Sequence, residues 1–221
     1  MGRLVVFGCS NTYGQGLLDP KKQVWGALLA NSLKREFVNN GKPGASNKYI
    51  AHAINEFVFK PNDVVIIAWS YLNRSCVLYK PLICKSGVVK DNSQLSKNIS
   101  ANLARQKNED SVMYFKHFYN DFDSEFTNAV FMDFSIDLLI SKKVEFRQLF
   151  VHPEDIPNPR HRDTNSFSFL FNDFHARYPK AADNSHMGEQ GNSVLAKAMY
   201  NELFNLPFAN LDILSPIKTI I

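Results

Sequence analysis

The sequence contains few cysteines, no long hydrophobic run and no long run of charge of one sign. Its three cysteines, Cys9, Cys76 and Cys84, are an odd number without metal-ligand spacing, which fits a reducing compartment without a disulfide framework. No segment approaches the roughly 20 apolar residues that span a bilayer. The first apolar run stops at Gly8, so we also predict no signal peptide. These features predict a cytoplasmic protein without a membrane span.

The formal net charge of +4 is modest and spread along the chain. The densest basic segments, 34–35 and 160–162, are much shorter than the stripe that nucleic-acid binding normally requires. No histidine has zinc-ligand spacing. We therefore expect no nucleic-acid partner, no metal and no cofactor. Without a repeat or a linker, the 221 residues predict a single domain over 1–221.

Apolar runs alternate with helical patterns along the chain. Segments 4–8 and 63–69 are continuous apolar runs, typical of strands buried on both faces of a parallel sheet. Further strands are predicted over 36–39 and 144–151, and helices over 23–37, 49–57, 110–141 and 187–204. This alternation predicts an α/β fold with helices on both faces of a parallel sheet. Segment 76–107 has a weak pattern and is predicted to be an insertion or mobile loop.

Aromatic residues recur at spacings of three and four in the predicted helix over 110–141. Such a stripe is more typical of a face that packs on the core than of a substrate groove. We therefore expect it to face the core. Its members are Phe115, Phe118, Tyr119, Phe122 and Phe126.

Ser10 follows the first predicted strand immediately. Ligands and reacting groups in open α/β sheets lie at the carboxyl ends of the strands, so Ser10 is a candidate nucleophile. Serine is also a preferred helix N-cap, and the neighbouring glycines could form a phosphate-binding loop. The segment alone leaves all three interpretations open.

Asp183 and His186 lie in a loop before the last predicted helix. Their spacing allows the carboxylate to reach one imidazole nitrogen while the other nitrogen faces away. Such a pair orients the ring and stabilises the imidazolium that forms when the histidine takes a proton. The alternative is a helix N-cap at Asp183 with His186 as a polar residue of the first turn.

Together these segments resemble the SGNH/GDSL hydrolase family. In that family a serine follows the first strand, a glycine and an asparagine come from two later loops, and Asp-x-x-His precedes the last helix. The order here is the same: Ser10, Gly44, the end of strand 63–69, then Asp183 and His186. The resemblance spans residues 4–204 and implies a flavodoxin-like, three-layer α/β/α sandwich with a central parallel sheet.

The resemblance also implies a role for each matching residue. Ser10 would be the nucleophile, His186 its general base, and Asp183 the residue that sets the tautomer of the histidine. The backbone N–H groups of Ser10 and Gly44 would belong to an oxyanion hole.

Two positions depart from the family pattern. Cys9 stands where the family has aspartate, and we expect its side chain to point away from Ser10. Direct alignment places Tyr71 at the asparagine of the third block. Asn73, two residues later, is our first choice as third oxyanion donor. Tyr71 and Asn47 are alternatives, and the absence of a third donor is another.

We therefore expect a serine esterase that cleaves a short acyl or acetyl group from a sugar or lipid-like carrier. An acyltransferase with the same triad, and a non-catalytic carbohydrate- or lipid-binding protein on the same fold, are the alternatives. The sequence leaves open the acyl group, the carrier, the oligomeric state and the pathway.

Overall fold

A computed structural model describes residues 2–78 and 96–205. Cys84 and most of the predicted insertion lie outside the described residues. Within them, six strands and ten α-helices are present: β1 (Arg3–Gly8), α1 (Ser10–Tyr13), α2 (Pro20–Gln23), α3 (Trp25–Ser32), β2 (Glu36–Gly41), α4 (Asn47–Glu56), β3 (Val64–Ala68), β4 (Arg74–Leu78), β5 (Ser96–Ser100), α5 (Ala101–Arg105), α6 (Glu109–His117), α7 (Asp121–Ser141), β6 (Glu145–Leu149), α8 (Pro159–Asp163), α9 (Phe171–His175) and α10 (Glu189–Leu203).

Four strands form a parallel sheet in the order β2-β1-β3-β6. The register pairs Gly8 with Gly41 on one side of β1 and Phe7 with Ile67 on the other. The two central strands, β1 and β3, are the two apolar runs that the sequence singles out. Because all four strands are parallel, their carboxyl ends meet at one edge, where the loops that follow them come together.

Each face of the sheet is covered by helices. Alternate residues of β1 and β3 pack on α3 and α10 on one face and on α4 and α7 on the other, as the period of two along a strand requires. Fully burying each such side chain stabilises the fold by about 1.5–3 kcal/mol. The predicted three-layer α/β/α sandwich with a central parallel sheet is confirmed.

The segment predicted as a loop over 76–107 differs in its described parts. β4 and β5 form a separate antiparallel pair, from Arg74 opposite Ser100 to Leu78 opposite Ser96, and α5 follows. Only Cys76 and Ile99 are buried there among apolar side chains, which explains why the sequence shows no clear strand pattern. These described residues are structured, so the mobile-loop alternative was wrong for them, while an insertion over 76–107 stays a prediction.

The helical segment over 110–141 is divided into α6 and α7 at Asn120, whose side chain accepts a hydrogen bond from the N–H of Asp123 at 2.8 Å. The aromatic stripe does not face the core. Phe118, Phe122 and Phe126 are exposed. The buried face of α7 instead carries Ser124, Asn128, Met132, Ser135, Ile136 and Leu139. The expectation of a core-facing stripe was wrong, because polar side chains share the buried face.

No helix of the described ranges is long and apolar enough to cross a bilayer.

Candidate active site

Ser10 lies at a sharp turn between β1 and α1. Cys9 is extended (φ −99°) and Ser10 is the first residue of the helix, whose opening N–H groups bond back to the Cys9 carbonyl. A Cβ at Gly8 would lie 2.1 Å from Oγ1 of Thr12, so the turn requires glycine there. Cys9 packs in the core on the α4–α7 face. The cysteine therefore belongs to the core, and Ser10 is the residue that carries a hydroxyl group at the strand's end.

Asp183 and His186 form a close pair in the loop before α10. Oδ2 of Asp183 lies 2.5 Å from Nδ1 of His186. Oδ1 accepts the backbone N–H groups of Ser185 and His186, each at 3.0 Å. Asn184 adopts the left-handed conformation (φ 55°) between them, which asparagine tolerates better than most residues. The carboxylate thus fixes the ring and keeps the proton on Nδ1, so that Nε2 is the nitrogen that can take a proton.

The environment of Asp183 keeps it ionised. Burial alone would raise the pKa of its carboxyl, but the N–H groups of His186 and Ser185 and the imidazole of His186 outweigh that effect. The pKa falls to about 2. A carboxylate that stays charged through the acid range can stabilise an imidazolium beside it.

Two contacts tie this loop to the serine turn. Oδ1 of Asn11, the residue after Ser10, accepts the N–H of Met187 at 3.3 Å. Gly16 adopts φ +83°, and a Cβ there would lie 2.8 Å from the Asp183 carboxyl. The described part of the chain has no hydrogen bond between the Ser10 hydroxyl and the His186 ring. Such bonds are often long in unliganded sites and tighten when substrate binds.

Gly44 lies in the loop after β2, next to the end of β1. The N–H of Lys42 bonds to the carbonyl of Gly8 at 3.0 Å, which joins this loop to the serine turn. Gly44 has φ +73°, and a Cβ there would lie 2.7 Å from Nδ2 of Asn98 on the β4–β5 hairpin. Backbone conformation and space both favour glycine.

The three suggested third donors lie in very different places. Asn47 is fully buried; its Nδ2 donates to the Ser70 carbonyl (3.0 Å) and to Oδ1 of Asn128 (2.8 Å), and its Oδ1 accepts the Ser70 N–H at 2.7 Å. Both N–H groups of its side chain donate within the protein, which leaves none for a substrate. The prediction of Asn47 as an oxyanion donor was therefore wrong, and Asn47 instead anchors the loop after β3. Asn73 is exposed in the turn before β4.

Tyr71 is the one of the three that shares a cavity with the serine turn. Its side chain lines a cavity of about 10 Å³ together with Cys9 and Asn11, the residues on either side of Ser10. Burial raises the pKa of its phenol, so the hydroxyl remains a hydrogen-bond donor. The guanidinium of Arg74 lies 4.7 Å above the Tyr71 ring.

Two supporting side chains have no signal in the sequence. Oδ1 of Asp155, in the loop after β6, accepts the N–H of Leu72 at 3.0 Å and thereby holds the residue next to Tyr71. His175 donates from Nε2 to the Ser185 carbonyl at 2.9 Å, next to His186. Burial lowers the pKa of His175, which favours the neutral ring. Neither residue has a recognisable spacing from the residues that it supports, so only the fold reveals them.

Among the residues that the structure describes, no group of three or more His, Cys, Asp or Glu side chains could hold a metal ion. The site within those residues therefore consists of a serine, a histidine–carboxylate pair and hydrogen-bond donors. These groups suit acyl transfer through a serine nucleophile.

No protein-family model matches the sequence, and no curated protein matches it. Solved structures do resemble it. A protein described as lipolytic of the G-D-S-L family from Desulfitobacterium hafniense DCB-2 has a TM-score of 0.56 at 12% identity, with 91% of this chain and 99% of that chain covered.

Two carbohydrate-active esterases resemble the chain to a similar degree. One is an acetyl xylan esterase from the rumen bacterium Butyrivibrio proteoclasticus, with a TM-score of 0.52 at 11% identity, covering 92% of this chain and 64% of that chain. The other is a carbohydrate esterase whose active site displays divergent catalytic and non-catalytic binding functions, with a TM-score of 0.54 at 9% identity, covering 92% and 65%. The chain therefore has the SGNH/GDSL hydrolase fold.

Proposed function

We propose that this protein is a serine esterase that hydrolyses a carboxylic ester through Ser10, His186 and Asp183. The observation that carries the proposal is the 2.5 Å pair of Asp183 and His186, which the Asn11 contact joins to the turn that bears Ser10. Serine alone is a weak nucleophile and needs an adjacent, correctly oriented base. The fold supports the proposal, because esterases and lipolytic proteins share it.

The reaction would follow the usual two steps of a serine hydrolase. Oγ of Ser10 attacks the ester carbonyl while its proton passes to Nε2 of His186, and the departing alkoxide takes that proton as the C–O bond breaks. Water then attacks the acyl carbon while one of its protons passes to His186. The bond from that carbon to Oγ of Ser10 breaks, Oγ takes the proton from His186, and the acid leaves. Asp183 keeps the ring in the productive tautomer and stabilises the imidazolium in both steps.

The negative charge on the tetrahedral intermediate needs donors that are fixed in advance. We assign the backbone N–H groups of Ser10 and Gly44 to this role, and the phenol of Tyr71 in place of the asparagine expected at Asn73. The support is that Tyr71 shares a cavity with Cys9 and Asn11, whereas Asn73 is exposed. One such donor can contribute about 100- to 1,000-fold in rate.

The same cavity suggests a short acyl group. Its volume of about 10 Å³, and a lining that includes Trp69, Leu149, Val151 and Phe171, suit an acetyl methyl rather than a long chain. A space of about 10–15 Å³ holds roughly one water-sized group. Acetyl esters on a polar carrier such as a sugar are therefore the substrates we favour, in keeping with the acetyl xylan esterase of the same fold.

A non-catalytic binding protein is the second candidate, since the described site lacks a bond between Ser10 and His186. Hydrolysis of p-nitrophenyl acetate separates the two. We expect turnover by the wild type, loss of at least about 1,000-fold in kcat for Ser10→Ala, and wild-type rates for Ser32→Ala, an exposed serine on α3.

The length of the acyl group and the nature of the acceptor are measured in the same assay. p-Nitrophenyl acetate should give a higher kcat/KM than the octanoate, and added alcohol should not be needed for turnover. Turnover only with an alcohol acceptor would instead indicate an acyltransferase. Folded wild type without turnover of any ester would contradict the esterase proposal.

A further inference from the structure

The side chain of Asn98 joins the β4–β5 hairpin to the loop of Gly44. Its Nδ2 donates a hydrogen bond to the backbone carbonyl of Pro43 at 3.0 Å. Because a carbonyl can only accept, the amide nitrogen must face it, which fixes the orientation of the Asn98 side chain. A Cβ at Gly44 would lie 2.7 Å from the same Nδ2, so only glycine lets the amide come this close.

The loop that Asn98 contacts is a tight β-turn over residues 42–45. The N–H of Ala45 bonds to the carbonyl of Lys42 at 3.0 Å, so Pro43 and Gly44 are the two central residues. Proline holds φ near −65°, and Gly44 has φ +73°. A negative φ followed by a positive one is the pattern of a type II turn, in which proline and glycine are preferred in this order.

The peptide group between Pro43 and Gly44 decides where the proposed oxyanion donor points. Turns of type I and type II differ in the orientation of this central peptide, which is rotated by about 180° between them. The peptide is trans, and in a planar trans peptide the C=O and the N–H point in opposite directions. The Pro43 carbonyl faces Asn98, so the N–H of Gly44 points away from the hairpin. Rotation of the peptide would reverse that direction.

Within the described residues, the N–H of Gly44 donates to no protein acceptor. The turn is nevertheless held to the strand that bears Ser10, because the N–H of Lys42 bonds to the carbonyl of Gly8 at 3.0 Å. An unpaired N–H on a fixed turn next to the proposed nucleophile is what an oxyanion donor requires.

We propose that Asn98 is a positioning residue for the oxyanion hole, whose hydrogen bond to the Pro43 carbonyl keeps the turn in the type II form that presents the Gly44 N–H to substrate. The inference rests on the proposed esterase function. The bond stabilises this orientation of the peptide over the rotated one. It also polarises the peptide, which strengthens its N–H as a donor. The donor is then fixed before negative charge develops on the substrate.

Hydrolysis of p-nitrophenyl acetate by Asn98→Ala tests the proposal. We expect kcat to fall by about 10- to 100-fold, less than the loss of about 100- to 1,000-fold for a whole oxyanion donor, because Pro43 and Gly44 still favour the turn. KM should stay within about twofold of the wild-type value, since the donor stabilises charge that develops only in the transition state. Asn98→Asp places a carboxylate oxygen against the carbonyl and should be at least as impaired.

The matched control is Val77→Ala, an exposed position on the other strand of the same hairpin. It should keep the wild-type kcat. The unfolding midpoint, measured for each variant, should change little, because Asn98 is only partly buried.

Inhibition by 1,1,1-trifluoroacetone separates positioning from a general weakening of the fold. Oγ of Ser10 adds to the ketone carbon, its proton passes to His186, and the ketone oxygen becomes an oxyanion. The inhibition constant for Asn98→Ala should therefore rise by about the factor by which kcat falls. In a Gly44→Ala background, Asn98→Ala should lower kcat by at most about twofold more, because both changes act through the same N–H.

The outcomes separate this inference from the proposed function. A wild type that hydrolyses the ester while Asn98→Ala keeps its kcat would overturn the role of Asn98 alone. So would a loss confined to KM, or an equal loss in Val77→Ala. A folded wild type without turnover would contradict the esterase proposal, and the role of Asn98 with it.

Discussion

Replacing Asp183 by asparagine tests the electrostatic part of the proposed triad. The amide can keep one oxygen for the N–H groups of Ser185 and His186, now accepted at 3.0 Å, so the loop should hold its shape. The other oxygen, 2.5 Å from Nδ1 of His186, becomes an NH₂ group, which donates hydrogen bonds and cannot accept one from Nδ1–H. The ring must then carry its proton on Nε2, the atom that should receive the Ser10 proton.

The expected loss is large and falls on kcat. A wrong tautomer in a serine triad lowers kcat by about 10³- to 10⁴-fold, which corresponds to about 4–5 kcal/mol of transition-state stabilisation. KM should change little, because the carboxylate is not placed against substrate. The assay is p-nitrophenyl acetate hydrolysis by Asp183→Asn, with the unfolding midpoint measured on the same preparation.

Asp173→Asn is the matched control. Asp173 also accepts a backbone N–H, that of Leu170 at 2.8 Å, and it lies in α9, close to the same loop. Among the described residues it makes no hydrogen bond or ion pair with His186, so kcat should be unchanged. A loss below about tenfold for Asp183→Asn, or an equal loss in both variants, would refute the role assigned to Asp183.

Four further predictions concern the loops around the serine. Gly44→Ala should lower kcat and destabilise the fold by about 1–2 kcal/mol in chemical denaturation, because its positive φ disfavours a side chain. Tyr71→Phe should lower kcat by tenfold or more at constant KM, while Asn73→Ala should not; the opposite result restores Asn73 as third donor. Asn47→Ala should reduce the free energy of unfolding by about 2–4 kcal/mol in urea, since three buried hydrogen bonds are lost. Folding lowers the pKa of Asp183 to about 2 from its ordinary 3.8. Its ionised form therefore stabilises the fold above pH 4, and that contribution is lost as the pH falls through 2. Between pH 4 and pH 2 the free energy of unfolding should fall by up to about 2 kcal/mol more for the wild type than for Asp183→Asn, and parallel curves would contradict this.

Local patterns were sufficient to predict the layers of the fold. The apolar runs at β1 and β3 admit few interpretations, because both faces of each strand are buried and no polar residue interrupts them. The Asp183–His186 contact could also be predicted, because only two residues separate them in the sequence and their side chains are therefore within reach of each other. These features depend on neighbours in sequence.

Long-range contacts explain what could not be predicted. Asn47 was a plausible donor until its amide was found paired with Ser70 and Asn128, residues 23 and 81 positions away. Polar side chains on the buried face of α7 likewise follow from bonds between that face and the Leu72 carbonyl, made by Ser124 and Asn128. A periodicity of apolar residues alone could not distinguish the core face from an exposed one.

Labelling with a fluorophosphonate probe, followed by mass spectrometry of the modified peptide, tests the central claim most directly. Such probes react with a serine whose hydroxyl an adjacent base has activated. We predict one adduct, on Ser10, that is lost in His186→Ala and retained in His117→Ala, an exposed histidine on α6. Folded protein that stays unlabelled, or an adduct on another residue, would contradict the assignment of Ser10 as the nucleophile.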